Sequence, residues 1–209
     1  MGLFSGLGNW ISDAFSTLTS GIKEMATSIA SLGLSLATKV GEAIKAVGVS
    51  LNILRPEDNM DELGEKAMLS DKGPDDFESM SAYIDHLRND VSLDKEKFDS
   101  LSDTDKLERA SIGASITLKG INEKLDTVVS PSFMATVALL DLDSKEIIGT
   151  IKSYKENGLD TDDYKLYVNN ELSIDETHKH GNALVQAYQK LEPQLSLEQI
   201  EDKVMGLKA

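Results

Sequence analysis

The chain of 209 residues contains no cysteine, only four prolines and a single tryptophan. The absence of cysteine excludes disulfide bonds, thiolate metal sites and cysteine nucleophiles. Few prolines and few aromatic side chains argue against an all-β sandwich, whereas abundant Leu, Ala, Lys and Glu favour helix. The composition therefore predicts an all-α protein.

Motifs for catalysis, cofactors and metals are missing as well. The sequence has no Walker loop, no dinucleotide fingerprint and no GxSxG elbow. Residues 141–146 begin like a calcium loop, but their fifth and sixth residues are not the oxygen ligand and the glycine that an EF-hand needs. His178 and His180 lie two residues apart and cannot share a helix face, and His86 is the only other histidine. We predict no enzyme, no cofactor and no metal site.

The negative charge is confined to one part of the chain. The net charge is −15. Residues 1–52 are neutral, because their three acids balance their three bases (Asp13, Glu24 and Glu42 against Lys23, Lys39 and Lys45). The whole excess lies in residues 53–209. An acidic body of this kind favours solubility and disfavours binding to a phosphate backbone, so we expect no direct nucleic-acid binding.

The N-terminal segment lacks the usual targeting signals. No Lys or Arg precedes Lys23, whereas a secretory signal begins with a basic region. The myristoylation motif needs Ser or Thr at position six, which here is Gly6. The longest uncharged stretch, residues 25–38, is shorter than the roughly 18–20 apolar residues of a membrane span and contains Ser and Thr. We expect no secretory signal, and a transmembrane span is the least favoured of the alternatives.

A regular apolar pattern runs through the same segment. Large apolar residues follow one another at steps of three and four from Phe4 to Leu51, which is the spacing of one helix face. The pattern also repeats every eleven residues, most clearly at Leu7, Leu18, Ile29, Val40 and Leu51. Eleven residues in three turns keep a stripe on one side of a nearly straight helix. We predict a long amphipathic helix over residues 1–54, which its glycines can kink.

The opposite face of that helix is small and uncharged, with Ser, Thr and Asn. Such a face cannot bind anionic lipid by charge, so membrane affinity would come from inserted apolar side chains. A second alternative, compatible with the first, is that the stripe packs against a partner helix, within the body or in a homo-oligomer. The predicted membrane- or partner-binding residues are Leu3, Phe4, Leu7, Trp10, Ile11, Phe15, Leu18, Ile22, Met25, Ile29, Leu36 and Val40.

The remaining residues read as a linker and an acidic helical domain. Residues 55–75 hold two prolines, two glycines and many charges, and we interpret them as a linker with at most one short helix. Residues 76–209 predict about six or seven short helices. The first two are predicted to start at Asp75 or Asp76 and after Ser92. The predicted N-caps of the later helices are Ser102, Asp143, Thr161, Ser173 and Ser196.

The opening residues MGLFSGLGNWISDAF resemble the glycine-, leucine- and phenylalanine-rich starts of viral membrane-active segments. Some minor capsid and ejection proteins of viruses and phages have starts of this style. The resemblance covers about the first quarter of the chain. It implies a virion component that helps a genome or cargo cross a membrane, located in the virion or peripherally on a membrane.

We therefore predict a non-enzymatic structural or interaction protein. Its expected partners are further copies of itself or other structural subunits, and a membrane interface. Two alternatives stay open. One is a soluble oligomeric adaptor in which the long helix builds a bundle, and the other is an acidic regulator that occupies the basic groove of a partner.

Overall fold

The computed structural model describes residues 17–208. Within these residues the chain forms eleven α-helices, one 3-10 turn at Pro74–Asp76 and no strand, which confirms the all-α prediction. The helices are α1 Ser20–Ala30, α2 Leu34–Ser50, α3 Met60–Leu69, α4 Met80–Asn89, α5 Lys95–Asp99, α6 Asp103–Leu125, α7 Pro131–Leu139, α8 Ser144–Glu156, α9 Asp163–Val168, α10 Ile174–Leu191 and α11 Leu197–Met205.

The chain divides into two compact units. Unit 1 ends at Lys124 and contains α1 to α6, and unit 2 begins at Leu125 and contains α7 to α11. This grouping differs from the division expected from the sequence, in which residues 1–54, 55–75 and 76–209 stand apart. The boundary lies at the end of α6 because this helix belongs to the same packed core as the helices before it.

The predicted long N-terminal helix is interrupted in the part that the structure describes. α1 ends at Ala30 and α2 begins at Leu34. Between them Gly33 has a φ of +82°, a conformation that glycine reaches without the strain of a Cβ. The carbonyl of Gly33 then accepts a hydrogen bond from the Ala37 amide at 2.9 Å, which starts α2. Residues 1–16 lie outside the described part of the chain.

α6 is buried on every side along its middle. All residues from 111 to 118 are buried, although several of them are polar. The hydroxyls of Ser111, Ser115 and Thr117 each donate to the carbonyl four residues earlier, at 2.7–2.9 Å. Because these bonds satisfy the hydroxyls within the helix, small polar residues can stand in a core position.

α3 crosses α6 at main-chain contact. A Cβ on Gly64 would lie 1.8 Å from the carbonyl oxygen of Arg109, and a Cβ on Gly113 would lie 2.0 Å from that of Met60. Met60, at the start of α3, lies against Gly113, whereas Gly64, further along α3, lies against the earlier residue Arg109. The two helices therefore run antiparallel. Only glycine permits so close an approach.

The stretch 55–75, which the sequence suggested to be a linker, is therefore packed into unit 1. Met60, Leu63 and Ala67 of α3 are buried. The Pro, Gly and charge content that suggested a linker belongs to the turns on either side of α3. One of its glycines, Gly64, is a packing residue instead of a flexible one.

A partly buried ion pair fixes the turn that leads into α3. The guanidinium of Arg88, on α4, donates to both carboxylate oxygens of Asp58, from Nε at 3.0 Å and from Nη2 at 2.6 Å. Burial alone would raise the pKa of Asp58, but the hydrogen bonds from Arg88 and from the Arg55 amide together outweigh burial and hold the pKa below its usual range. The ion pair thus connects the turn before α3 to α4.

Unit 2 is built around α10. α8 and α11 both pack against α10, and α9 packs against α7 and α10. The predicted caps at Asp143, Ser173 and Ser196 are confirmed as capping boxes at the starts of α8, α10 and α11. In unit 1 the starts predicted at Asp75 or Asp76 and after Ser92 are too early, because the side chains of Ser79 and Asp94 cap α4 and α5. The predicted cap at Thr161 is wrong. Its hydroxyl instead donates to the carbonyl of Val128 at 3.1 Å, because tertiary packing offers it that acceptor.

The contact between α3 and α6 gives a direct stability test. We expect Gly64→Ala to destabilise unit 1 by about 3 kcal/mol or more, since the added methyl would force the two main chains apart. Gly41→Ala is the matched control, because a Cβ at Gly41 meets nothing within 4 Å and the site is inside α2. It should stabilise by about 0.5–1 kcal/mol. Urea unfolding followed by circular dichroism measures both, and a Gly64→Ala protein as stable as the wild type would contradict the contact.

Candidate functional site

Six of the twelve predicted binding residues lie outside the described part of the chain. They are Leu3, Phe4, Leu7, Trp10, Ile11 and Phe15. The structure gives positions for the other six, which are Leu18, Ile22, Met25, Ile29, Leu36 and Val40.

The later half of the apolar stripe is buried within the protein itself. Leu18 is 5 % exposed, Ile22 and Ile29 are 1 % exposed, and Val40 is completely buried. Met25 and Leu36 are half-buried. A side chain that packs in the core of unit 1 cannot contact lipid at the same time. In the folded state this part of the stripe is core and not a free binding surface.

The start of the described chain is held against unit 1 by another close main-chain contact. A Cβ on Gly73 would lie 2.0 Å from the carbonyl oxygen of Thr17. Gly73 follows the last residue of α3 by four residues, and α3 runs antiparallel to α6. The point where residues 1–16 join unit 1 therefore lies beside the turn that follows α3.

A groove of about 500 Å³ lies between α2 and the first half of α6, with the start of α3 beside it. Its apolar lining consists of Leu34, Ala37 and Gly41 from α2, Leu107 and Ala110 from α6, and Met60 from α3. Ala37 and Met60 are buried at its base, and Leu34 is 56 % exposed at its edge. The charged residues of the lining are Glu42, Lys45, Asp61, Asp103 and Lys106.

The spacing of the lining residues shows what the groove can accept. Leu34, Thr38, Gly41 and Lys45 lie at i, i+4, i+7 and i+11 and so form one face of α2. Residues 103, 107 and 110 of α6 form a similar row. Two parallel rows with an apolar base are the form in which amphipathic helices are bound. The sequence did not predict this groove, because Leu34 is not part of the eleven-residue repeat. The small residues on this face of α2 are the sequence feature that could have indicated it.

An aromatic cluster fills the interior of unit 2. The hydroxyl of Tyr154 is hydrogen-bonded to Nδ1 of His180 at 2.9 Å. The ring of Tyr154 meets those of His180 and Tyr164 edge-on, and Phe133 meets Tyr164 in the same way. His180 is only 2 % exposed. Burial raises the pKa of Tyr154 far above its usual value, so the phenol stays protonated.

Lys203 connects three helices at the surface of unit 2. Its ammonium lies 3.1 Å from Glu146 on α8 and 2.8 Å from Glu192 just after α10, and 4.6 Å from the centre of the Tyr188 ring. Burial and the nearby Glu146 carboxylate raise the pKa of Tyr188. Its buried hydroxyl has no partner with hydrogen-bond geometry among the described residues. These contacts stabilise the helix packing of unit 2.

Between residues 17 and 208 we find no group of three or more potential metal-ligating His, Cys, Asp or Glu side chains. His86 is hydrogen-bonded to Asp90 at 2.9 Å, and His178 is exposed. Over the same range no helix combines the length and the apolar character needed to cross a membrane.

Comparison with known protein families, with curated proteins and with solved structures finds no match for this chain. The resemblance of its opening residues to viral membrane-active segments stays a prediction.

The buried histidine makes the stability of unit 2 depend on pH. Burial, the largest effect, lowers the pKa of His180, although the charges of Asp163 and Glu176 oppose it. The unfolded chain therefore binds a proton that the folded chain does not. The free energy of unfolding should be unaffected by this group above about pH 6.5 and should fall as the pH drops below that value.

The His180→Phe variant tests this dependence. It keeps a ring against Tyr154 but cannot bind a proton, so it should lose stability at pH 7, where Tyr154 loses its hydrogen-bond partner. Its unfolding free energy should change less between pH 7 and pH 5 than that of the wild type. Urea unfolding at the two pH values measures this change. If the unfolding free energies of the variant and the wild type fall equally between pH 7 and pH 5, His180 is not the group responsible.

Proposed function

We propose that this chain is a non-enzymatic structural protein whose N-terminal residues 1–16 form an amphipathic helix that inserts at a membrane interface. The observation that carries the proposal is the division of the apolar stripe. From Leu18 onward most of its large side chains are buried in the core of unit 1, whereas Phe4, Leu7 and Ile11 belong to the same pattern and precede that core.

The helical spacing of the first residues supports this role. On a helix Leu3, Phe4, Leu7, Trp10 and Ile11 lie on one side, and Asp13 lies about 120° from the middle of that side. The single acidic side chain of the segment can thus stay in water while the apolar side inserts. Each large apolar side chain that becomes buried contributes roughly 1.5–3 kcal/mol, so several together favour insertion without basic residues.

The charge distribution supports a peripheral location for the rest of the chain. Residues 53–209 carry the entire net charge of −15, and anionic lipid repels such a body. The neutral N-terminal segment is then the part that approaches the bilayer. The resemblance to viral membrane-active segments suggests the biological setting, a virion component that helps a genome or cargo cross a membrane.

Liposome flotation of the full-length protein tests insertion. Ile11→Asp places a charge on the apolar side of the segment and should weaken binding by roughly tenfold or more, because a buried large side chain is worth at least one factor of ten. Asn9→Asp is the matched control. It adds the same charge on the polar side, two residues away, and should float like the wild type.

The two variants also separate the alternatives. If wild type, Ile11→Asp and Asn9→Asp all stay unbound on loosely packed vesicles, the membrane proposal is wrong. Light scattering on the same three proteins then tests the oligomeric adaptor, which predicts that Ile11→Asp dissociates the assembly and Asn9→Asp does not.

A further inference from the structure

We infer that the groove between α2 and α6 is the docking site for residues 1–16 of the same chain when no membrane is present. The inference rests on the proposed function in one respect, since it takes this segment to be an amphipathic helix. It adds a site that protects the apolar side chains from water and that competes with the membrane for them.

The residue spacing of the segment matches the groove. Phe4, Leu7 and Ile11 stand at i, i+3 and i+7, the spacing with which a helix presents anchors to a groove. These anchors span ~11 Å along a helix, and the face of α2 from Leu34 to Lys45 spans ~16 Å at the same rise per residue. The groove is therefore long enough to receive all three side chains.

The connection to unit 1 permits this docking. Docking of residues 4–11 leaves residues 12–16 to reach Thr17, and five extended residues span up to roughly 17 Å. Thr17 is fixed against Gly73, and both residues belong to unit 1, as do all the residues that line the groove. The segment and the groove therefore belong to the same unit.

The side chains on both surfaces are compatible. The base of the groove is apolar, and its small residues Ala37, Thr38, Gly41 and Ala110 leave room for large ones. The only charged side chain of the segment, Asp13, belongs to the connecting residues 12–16 and would stay in solvent. Docking would therefore bury apolar surface without burying a charge.

The chain offers a clean fluorescence test, because Trp10 is its only tryptophan and it has no cysteine. A bimane label on Thr38→Cys reports contact with Trp10 in the groove, since tryptophan quenches bimane at short range. Thr27→Cys is the matched site, because both threonines are exposed on a helix and donate to the carbonyl four residues earlier, and Thr27 is not part of the groove.

Without lipid we expect strong quenching of the label at residue 38 and little at residue 27, each relative to the same protein with Trp10→Phe. Filling the groove with Gly41→Leu should restore the fluorescence at residue 38. Gly21→Leu, at another helical position where a Cβ meets nothing, should not. Circular dichroism verifies that both leucine variants are folded. Equal quenching at residues 27 and 38, or none at residue 38, would overturn the inference.

A mixing experiment distinguishes the segment of the same chain from that of a second copy. Labelled Trp10→Phe protein is mixed with an excess of unlabelled wild type, and we expect no quenching. Quenching in the mixture would overturn docking within one chain and assign the groove to a neighbouring copy.

Added liposomes separate this inference from the membrane proposal. If both hold, vesicles relieve the quenching at residue 38. If quenching persists although vesicles are present, docking holds and insertion fails. If there is no quenching without lipid but Trp10 emission shifts to the blue with vesicles, insertion holds and docking fails.

Discussion

The main-chain contact between α3 and α6 is the constraint on which the rest of unit 1 depends. Gly64 and Gly113 let the two helices approach until each backbone meets the other. At this crossing Met60 lies at the base of the groove, and the middle of α6 is buried in the core. It also makes residues 60–69 an integral helix of the unit. A larger residue at either glycine would move α3, and the groove beside its first turn would change with it.

The eleven-residue pattern has two uses in this chain. In residues 18–51 it supplies core side chains, as the burial of Ile22, Ile29 and Val40 demonstrates. In residues 1–16 the same pattern gives an apolar side, for which we propose the groove and the membrane as alternative surroundings. Periodicity tells which side of a helix is apolar, but the hydrophobic effect does not distinguish lipid from protein as the apolar environment. Only the contacts made by particular residues separate the two.

Local signals predicted much of the fold, and tertiary contacts decided the rest. The capping boxes at Asp143, Ser173 and Ser196 were predictable because the cap and its partner lie three residues apart. Thr161 was mistaken for a cap because its actual acceptor, the carbonyl of Val128, lies 33 residues away in sequence.

The interpretation of residues 55–75 as a linker shows the same limitation. Glycine in a charged stretch suggests flexibility, but Gly64 is required by its close contact with Arg109 of α6, which lies 45 residues further on. The groove was equally inaccessible to the sequence, since it is made by residues from three helices that are far apart in the chain. For the candidate site, the sequence identified the apolar residues of the segment but not the protein surface opposite to them.

The central claim is that unit 1 keeps α1 and α2 in its core while residues 1–16 alone engage a membrane. Hydrogen–deuterium exchange of the full-length protein, with and without liposomes, tests it most directly. The claim predicts that amides of Ser20–Ala30 and Leu34–Ser50 exchange equally slowly in both conditions and that exchange in residues 1–16 slows when vesicles are bound. Faster exchange throughout α1 and α2 on vesicle binding would contradict it, because unit 1 would then open and release the whole stripe to the lipid.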